Sequence, residues 1–563
     1  MNFLLFFIIL GETILKYMAS LTPYSSVLGL RKAKHLLRRA SYAYSKDDID
    51  TFATKTPQQA LDALVIPVTN VLASPYDPQP TASPDGFWTE STALPNTFTG
   101  HFRKRIYSTG WWWYNAQNNA SLQYKMAMFL HTTFTVSKLD STGTSTHFHD
   151  HIKLLSQFAF GNIKALAKKI TFDNSMLKYL DNTNNNDNNP NENYAREFLE
   201  LFTIGKGPQI APGNYTNYTE SDVQEAARVF SGIKYDNTRA IIDIDTSLPM
   251  GRVQLNKHDE GNKVFSSALG STVIFGQTTE VGIKNELNLF VDMVFNQTET
   301  ARAYCRKLYR FFVKSEWGAD VETDIIEPLA LDMVANGFEI LPIVRKLLES
   351  RHFYDEDNTS NTDNIVGSIV KHPLQLLTEV TTFFNLEIPD PVTTPSYFYN
   401  SFYKTFMHNS FLSSSGFVFF APDSVAGYPA HYQTPDFDRN WFVSNTIIAR
   451  YKMIPSLISG RDKVITNANI RTKLELVDFV KDHMTNASNS TQLVIDFTNY
   501  LFPESVPTNR ITYFENLLLD GYASYYWTGS WNNYLADNDD SIVKERLEAL
   551  ITGLINAPEF QLM

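Results

Sequence analysis

Apolar residues recur at steps of three and four along most of this chain, and that period limits what the chain can fold into. Between Thr298 and Val313, Thr298 is placed as a helix cap, Glu299 lies in the first turn, and Cys305 falls within the apolar stripe. This arrangement is typical of an amphipathic helix with Cys305 in the core. The same period occurs in residues 121–134, 147–160, 286–295, 324–335, 341–348, 441–451, 474–480 and 542–555.

Only two segments alternate with the period of a β-strand, Ala240 to Val253 and Lys263 to Phe275. We therefore expect a mainly α, large multi-helix globular fold with a short β-hairpin insertion near residues 240–275. Three regions are predicted. Residues 1–17 form a dispensable extension or a poor signal-like segment, residues 18–460 a mainly helical domain, and residues 461–563 a C-terminal helical region packed on it.

The first residues allow two interpretations. Phe3 to Leu10 is an apolar run of eight residues, whereas a helix that spans a bilayer needs about 20. No Lys or Arg precedes this run, and a small-residue cleavage pattern is missing. Either the segment directs export, or translation begins at Met18 and the protein is cytoplasmic. No other stretch approaches transmembrane length, so no transmembrane segment is expected.

Composition excludes several functional classes. With 48 basic and 60 acidic side chains the net charge is −12, which offers no general positive field for nucleic acid. The single cysteine, Cys305, excludes an internal disulfide framework and a metal site built from cysteines. Nucleotide-binding glycine loops, the nucleophile elbow of hydrolases and the His-Glu pair of zinc proteases are all missing from the sequence.

The most informative string, NENYAREFLELF, runs from Asn191 to Phe202. Asn191 is placed to cap a helix, and Gly205 lies where a helix end favours a positive φ. At 100° per residue one face of this helix is apolar and is expected to pack inward. That face consists of Tyr194, Phe198, Leu201 and Phe202.

Two carboxylates lie on the flank of the same helix. Asn193, Glu197 and Glu200 share one stripe, and the two glutamates repel each other unless a cation, a proton or an arginine lies between them. This repulsion is the physical reason to suspect a functional site. The alternative is that Glu192, Arg196 and Glu200, spaced by four, form ordinary surface pairs.

A second helix and a turn follow along the chain. Thr219 to Asp222 reads as a capping box, with Asp222 as the capping acid and Glu220 nearer the packing side. Small alanines after it allow a neighbouring helix to approach closely. His258 and Asp259 then lie side by side in a turn after the expected hairpin.

Together with other strings, these segments resemble the bacterial family catalogued as domain of unknown function 1800. Glu220, Asp222, Ala227 and Arg228 belong to the pattern, as does His258-Asp259-x-Gly-x-Lys263. The remaining strings are Ala33-x-His35-Leu36-Leu37-Arg38-Arg39, FLHTTF at 129–134, Met176-Leu177-x-Tyr179-Leu180-Asp181, Gly427-Tyr428-x-x-x-Tyr432-x-x-Pro435 and Trp441. The resemblance covers nearly all of residues 30–460.

The resemblance implies little about activity, because the family has no established reaction. Its members look mainly helical, are frequently exported to the cell envelope, and are often encoded beside a sulfatase-like family, which makes a sulfatase-like protein the implied partner. One departure concerns metal binding. Where the family commonly has two histidines around one residue, this chain has His131 and Thr133.

Three further histidines lie close together. His147, His149 and His151 surround Asp150, and the first and last are spaced by four. We interpret them as a solvated helix flank, with a zinc site as the alternative.

Two functional hypotheses follow. In the first, the protein is an enzyme, for example a metal-assisted hydrolase with an acidic and histidine-containing pocket. Its catalytic residues would be Glu197, Glu200, Glu220 and His258, and its metal ligands would come from Glu197, Glu200, Glu220, His131, His258 and Asp259. We expect Glu197 or Glu200 to approach Glu220 or His258. Oxygen ligands would favour Mg²⁺, Ca²⁺ or Mn²⁺, and an imidazole Zn²⁺ or Fe²⁺.

In the second hypothesis, the protein is a non-catalytic envelope or carbohydrate-binding protein. Flat aromatic rings could stack on a ligand, although rings at this density more often belong to a core. The candidates are Trp111 to Trp113, Tyr525, Tyr526, Trp527, Trp531 and Tyr534.

Overall fold

Helices form most of the structure, which confirms the mainly α fold that the apolar period predicts. The computed structural model describes residues 19–66, 72–139, 142–357, 364–459 and 472–563. The predictions for residues 1–17 and for a start at Met18 fall outside the described residues.

The α-helices are numbered here in chain order. They are α1 Gly29–Ala40, α2 Lys46–Ala53, α3 Pro57–Leu64, α4 His101–Gln117, α5 Leu122–Thr133, α6 Ser145–Gln157, α7 Ile163–Ile170, α8 Asn174–Tyr179, α9 Glu192–Glu197, α10 Glu220–Phe230, α11 Glu280–Phe295, α12 Thr298–Phe312, α13 Ala319–Val321, α14 Glu327–Ala335, α15 Ile340–Leu348, α16 Pro373–Phe383, α17 Ile447–Ser459, α18 Leu476–His483, α19 Ser490–Leu501, α20 Thr508–Leu519, α21 Ser524–Asp537 and α22 Ser541–Ile555.

Among the residues that the structure describes, three segments are π-helical, with wider turns than an α-helix. They are Phe198–Phe202, which continues α9, Glu322–Ile326, which joins α13 to α14, and Tyr397–Ser413. Among the described helices, none is both long and apolar enough to cross a bilayer.

In the described part of the chain, the strands are short and pair as three separate two-stranded antiparallel sheets. They are β1 Gln209–Ala211 with β2 Asn214–Tyr215, β3 Ile233–Lys234 with β4 Arg252–Val253, and β5 Lys263–Val264 with β6 Val273–Ile274. Hairpins therefore occur near residues 240–275, but their pairing differs from the expected one. Ile242 only bridges Pro249, and Ile244 is 93% exposed, so the alternating isoleucines do not build a strand.

The core is aromatic and continuous. Cys305 is buried on α12, which confirms the prediction from its stripe, and burial raises the pKa of its thiol. Trp111, Trp112 and Trp113 on α4 are buried as well, and Trp112 packs edge-on against Tyr42 and Phe419. These three tryptophans are therefore core residues and offer no stacking surface.

Helix α1 is held by the C-terminal part of the chain. Its buried Lys34 donates to the carbonyl of Phe502 at 2.6 Å, and its buried Arg38 donates to the carbonyl of Leu501 at 2.6 Å. Arg39 donates to the carbonyl of Met563 at 2.6 Å. Basic side chains of the first described helix thus donate to backbone oxygens more than 400 positions away, and Arg38 also pairs with Glu379 at 2.9 Å. The expected boundary at residue 460 stays a prediction.

Candidate functional site

The informative helix begins as the sequence predicts and then changes its winding. The Asn191 side chain accepts from the backbone N–H of Asn193 at 3.0 Å, and Gly205 has φ 72°. After α9, the backbone continues as the π-helix Phe198–Phe202, and the Thr203 hydroxyl donates to the carbonyl of Phe198 at 2.7 Å. The wider turn buries Leu199 and leaves Leu201, which was expected to face inward, only partly buried.

Glu197 and Glu200 interact on the flank of this helix. Burial raises the pKa of Glu197 to about 7, and the negative charge of Glu200 adds to the shift. Glu200 forms an ion pair with Lys206 and lies 3.4 Å from the Tyr218 hydroxyl. The pair thus combines one carboxyl that holds its proton near neutral pH with one carboxylate that has a cation beside it.

Glu220 is bound to an arginine. Arg196 donates from Nη1 and Nη2 to its carboxylate at 2.9 and 2.5 Å, and also donates to Glu192 at 3.0 Å. This contact lowers the pKa of Glu220. The capping box of Thr219 and Asp222 forms as predicted.

His258 and Asp259 have partners of their own. His258 Nδ1 lies 2.8 Å from the Ser231 carbonyl oxygen, and its Nε2 lies 3.3 Å from Glu286. Glu286 accepts from Lys263 at 2.6 Å, and all three side chains are buried. Asp259 takes two hydrogen bonds of 3.0 Å from Arg228.

The predicted residues therefore separate into groups. Glu220 begins α10, whereas Ser231, the contact of His258, caps its other end. A helix of 11 residues is about 16 Å long, so Glu220 and His258 lie at opposite ends of α10 and do not share a pocket.

His131 lies in a third place, deep in the core. Its Nε2 is 3.0 Å from the Val136 carbonyl oxygen, and its ring centroid is 6.3 Å from that of His151. His151 in turn contacts Asp173 at 3.0 Å. Burial lowers the pKa of His131 to about 3, so the imidazole is neutral.

The interpretation of His147, His149 and His151 as a solvated flank is wrong, because all three are buried on α6. Asp150 is buried among them, and Arg239 donates to its two oxygens at 3.0 and 2.7 Å. These polar side chains are predicted to be exposed, but residues from distant segments cover them. The spacing of residues within one helix does not contain this information.

No metal centre is assembled from the described residues. Within residues 19–66, 72–139, 142–357, 364–459 and 472–563, no three His, Cys, Asp or Glu side chains converge so as to hold an ion. The predicted donors fall into separate groups, and Lys206, Arg196 and Arg228 form ion pairs with Glu200, Glu220 and Asp259, respectively.

A cavity of about 160 Å³, named here the outer cavity, lies beside Glu200. Three of the strings named above meet there, represented by Glu200, Thr132 with Thr133, and Tyr432. Helix α12 supplies the rest of the polar lining together with the neighbouring loop, namely Lys307, Arg310 and His431. Sequence segments far apart thus converge on one concave space.

Burial lowers the pKa values of two basic side chains in the outer cavity, Lys307 and His431. It lowers the pKa of Lys307 to about 7, with a contribution from the nearby Arg310, and Lys307 donates to the Leu201 carbonyl. Burial also lowers the pKa of His431 to about 4, so this imidazole is neutral. The cavity therefore combines a carboxylate with an amine that titrates near neutral pH.

A larger cavity of about 510 Å³ lies elsewhere, lined by Asp150 and the loop around Ile244. None of the predicted catalytic residues lines it, although it holds Asp150, which pairs with Arg239 and whose pKa burial raises to about 7. We take the outer cavity as the candidate site because Glu200, a predicted catalytic residue, and two further strings named above converge there.

Sequence reasoning missed Lys307, Arg310 and His431. A signal existed for Lys307, because it lies three residues after Tyr304 and four before Phe311, on the apolar side of α12. A lysine at such a position is buried or lines a cavity.

Comparison with known proteins identifies a protein family for this chain. No curated protein matches the chain, and no solved structure matches it either. The model of one family matches residues 35–562. The chain therefore belongs to the family described as protein of unknown function, DUF1800.

Proposed function

We propose that this protein is a hydrolase that uses acid–base catalysis in the outer cavity. The observation that carries the proposal is that Glu200 and Lys307 line the same concave space. A buried amine whose pKa is lowered toward neutral pH, as that of Lys307 is, marks a candidate for acid–base catalysis when it lies in a cavity with a carboxyl group.

In this proposal Glu200 is the general base and removes a proton from the attacking water. Lys307 is the general acid and protonates the leaving group, because its pKa of about 7 lets it carry a proton at neutral pH and give it up. Glu197 holds a proton beside Glu200 and so limits the repulsion between the two carboxyls. Arg310 supplies a positive charge for an anionic substrate group.

The proposal keeps Glu197 and Glu200 from the predicted site and assigns no step to Glu220, His258, His131 or Asp259. It also assigns no step to a metal ion, since the predicted donors are apart and neighbouring cations hold three of the carboxylates.

The test is hydrolysis of p-nitrophenyl acetate, phosphate, sulfate and β-glucoside by the purified protein. Wild type should hydrolyse at least one of them, and Glu200→Gln and Lys307→Met should each reduce kcat at least about 100-fold. Glu192→Gln, on the same helix but outside the cavity, is the matched control and should keep the activity. Turnover that is unchanged in Glu200→Gln, or no turnover on all four substrates, would contradict the proposal.

A second candidate function, carbohydrate binding without catalysis, is supported by one exposed aromatic surface. Tyr525 is 78% exposed, and the rings of Tyr522 and Tyr526 stack at 4.6 Å beside it. Trp527, Trp531 and Tyr534 on the same helix are buried and take no part. Binding of cell-wall polysaccharide that Tyr525→Ala abolishes, in a protein without hydrolytic activity, would favour this candidate.

A further inference from the structure

The core around α1 and α16 concentrates positive charge in a protein whose net charge is −12. Its buried basic side chains are Lys34, Arg38, Arg39, Lys125, Lys371 and Arg450. Burial lowers the pKa of Lys34 and of Lys125 well below the ordinary value and that of Lys371 to about 7, so the arginines carry most of the positive charge. Among them lies one buried carboxylate, Glu379, which pairs with Arg38 at 2.9 Å and with Lys371 at 2.7 Å. Burying a charge without a partner is costly, so the other cations of this core need compensation.

Some of this compensation comes from backbone carbonyls. Lys34 donates to the carbonyl of Phe502, and Arg450 donates from Nη2 to the carbonyl of Lys371 at 2.9 Å. Arg39 has fewer of its nitrogens hydrogen-bonded. Its hydrogen bonds all start at Nη2, whereas its buried Nε and Nη1 have no partner in the described part of the chain.

Arg39 lines a second, small cavity of about 20 Å³, named here the inner chamber. Lys125 and Arg310 line it too, and so do Phe311 and His431, which together with Arg310 also line the outer cavity. The two cavities are therefore neighbours, separated by these shared side chains.

The basic side chains that line the inner chamber, Arg39, Lys125 and Arg310, have mostly neutral hydrogen-bond partners. Lys125 donates to the Gln375 side chain and lies 4.1 Å from the centre of the Tyr42 ring. Arg310 donates to the Ser315 carbonyl and lies 4.8 Å from the Trp317 and Phe437 rings.

One carboxylate, Asp438, lines the chamber, and its two oxygens already accept from the Ser315 hydroxyl at 2.5 Å and from the Val370 N–H at 2.6 Å. Asp355, whose charge also reaches Arg39, is paired with Arg31. Two guanidiniums and the Lys125 amine therefore line a small space together with one side-chain carboxylate, Asp438, and with Met563, whose backbone oxygen accepts from Arg39 Nη2.

The volume limits what enters. A cavity that holds one water needs about 10–15 Å³ on this measure, so the inner chamber has room for an object the size of one water molecule. A halide ion or the end of a carboxylate group has this size, whereas sulfate and phosphate are larger.

We propose that the inner chamber is a binding site for a small anion, taken either as a free halide or as a carboxylate group that enters from the outer cavity. The anion accepts from the free nitrogens of Arg39 and from the Lys125 amine, and is attracted by the charge of Arg310. This site goes beyond the proposed hydrolase, because the anion is held whether or not the outer cavity is catalytic.

Bromide is the first probe. Crystals of the full chain soaked in sodium bromide should show an anomalous peak in the chamber next to Arg39. In solution, bromide or formate at low millimolar concentration should raise the thermal midpoint by about 2 °C or more, whereas sodium phosphate at the same low ionic strength, the size control, should not, because general salt effects are small there. An effect of formate alone would identify the ligand as a carboxylate, and an effect of bromide together with the anomalous peak would identify a free halide. Equal midpoints in all salts, or an absent anomalous peak together with no effect of formate, would overturn the proposal.

Lys125→Met tests the assignment to this chamber. It removes one N–H donor of the chamber and keeps the length of the side chain, so the dissociation constant for bromide, obtained from the midpoint shift, should rise at least about tenfold. Lys138→Met is the matched control, because Lys138 is an equally buried lysine that donates to the carbonyl of Phe419 and does not line the chamber. Equal bromide effects in both variants would overturn the proposal. If Lys125→Met fails to fold, the anomalous peak of wild type decides.

Discussion

Arg196 binds Glu220 through two hydrogen bonds and so joins α9 to the first residue of α10. The planar guanidinium reaches Glu192 as well, which a lysine cannot do with the same geometry. We predict that Arg196→Lys lowers the free energy of unfolding by about 1 kcal/mol, because all three side chains are partly exposed. Urea denaturation measures this value. Activity should persist, and its loss at unchanged stability would place Arg196 in the site.

Glu197→Gln should stabilise the protein at high pH. The pKa of Glu197 is raised to about 7 in the folded state, so the folded protein binds its proton more tightly than the unfolded chain. Stability that this group provides at low pH is therefore lost as pH rises from about 4.5 to about 7. We expect the variant to be about 1–2 kcal/mol more stable than wild type at pH 8, after discounting for partial exposure, and equal to it at pH 4. A difference that does not change with pH would show that the carboxyl is not strained.

The hydrolytic activity should fall as pH rises through about 7. Lys307 acts as an acid only when protonated, and its pKa is lowered to about 7 by burial. The measurement is kcat/KM on the best p-nitrophenyl substrate between pH 5 and 9. A profile that keeps rising above pH 8 would remove Lys307 from the acid role.

Glu286→Gln should be strongly destabilising. The carboxylate neutralises the buried Lys263, and removing one charge of a buried pair leaves the other without compensation. We expect a loss of about 3 kcal/mol in thermal or chemical unfolding. Glu280→Gln on the same helix is the control, since its pair with Lys284 is exposed and contributes less than about 0.5 kcal/mol.

Trp113→Ala and Tyr525→Ala should separate core rings from surface rings. Trp113 is fully buried, so its loss should cost about 3–5 kcal/mol, whereas Tyr525→Ala should stay within about 0.5 kcal/mol of wild type. Calorimetry of both variants gives the comparison. A large loss for Tyr525→Ala would contradict its assignment to the surface.

Local features were predictable from the sequence, and contacts between distant segments were not. The capping box at Thr219 and the apolar stripe around Cys305 depend on residues a few positions apart, and both form as expected. By contrast, the meeting of Glu200 with Lys307 depends on how α12 packs against the π-helical turn, and no local period contains that information. The burial of His149 likewise depends on Trp111, which packs edge-on against it from α4.

The string NENYAREFLELF identified Glu197 and Glu200 as candidate site residues, but it could not predict which side chains contact them. The π-helical winding changed which side chains face inward, since Leu199 is buried and Leu201 borders the cavity. The sequence predicts α10 and the turn at His258, but it does not show which end of the helix the turn contacts. In the structure His258 contacts Ser231 at the C-terminal end of α10, whereas Glu220 begins the helix.

The bonds from α1 to the carbonyls of residues 501 and 502 also fix an order of events during synthesis. Arg38 emerges from the ribosome 463 residues before its carbonyl partner at Leu501. At a synthesis rate of about 5–20 residues per second, α1 spends roughly 20–90 s without these carbonyl partners. The nascent chain must keep α1 solvated or shielded by a chaperone during that interval. A ribosome stalled before residue 500 should therefore display α1 in a protease-sensitive state, and release of the finished chain should protect it.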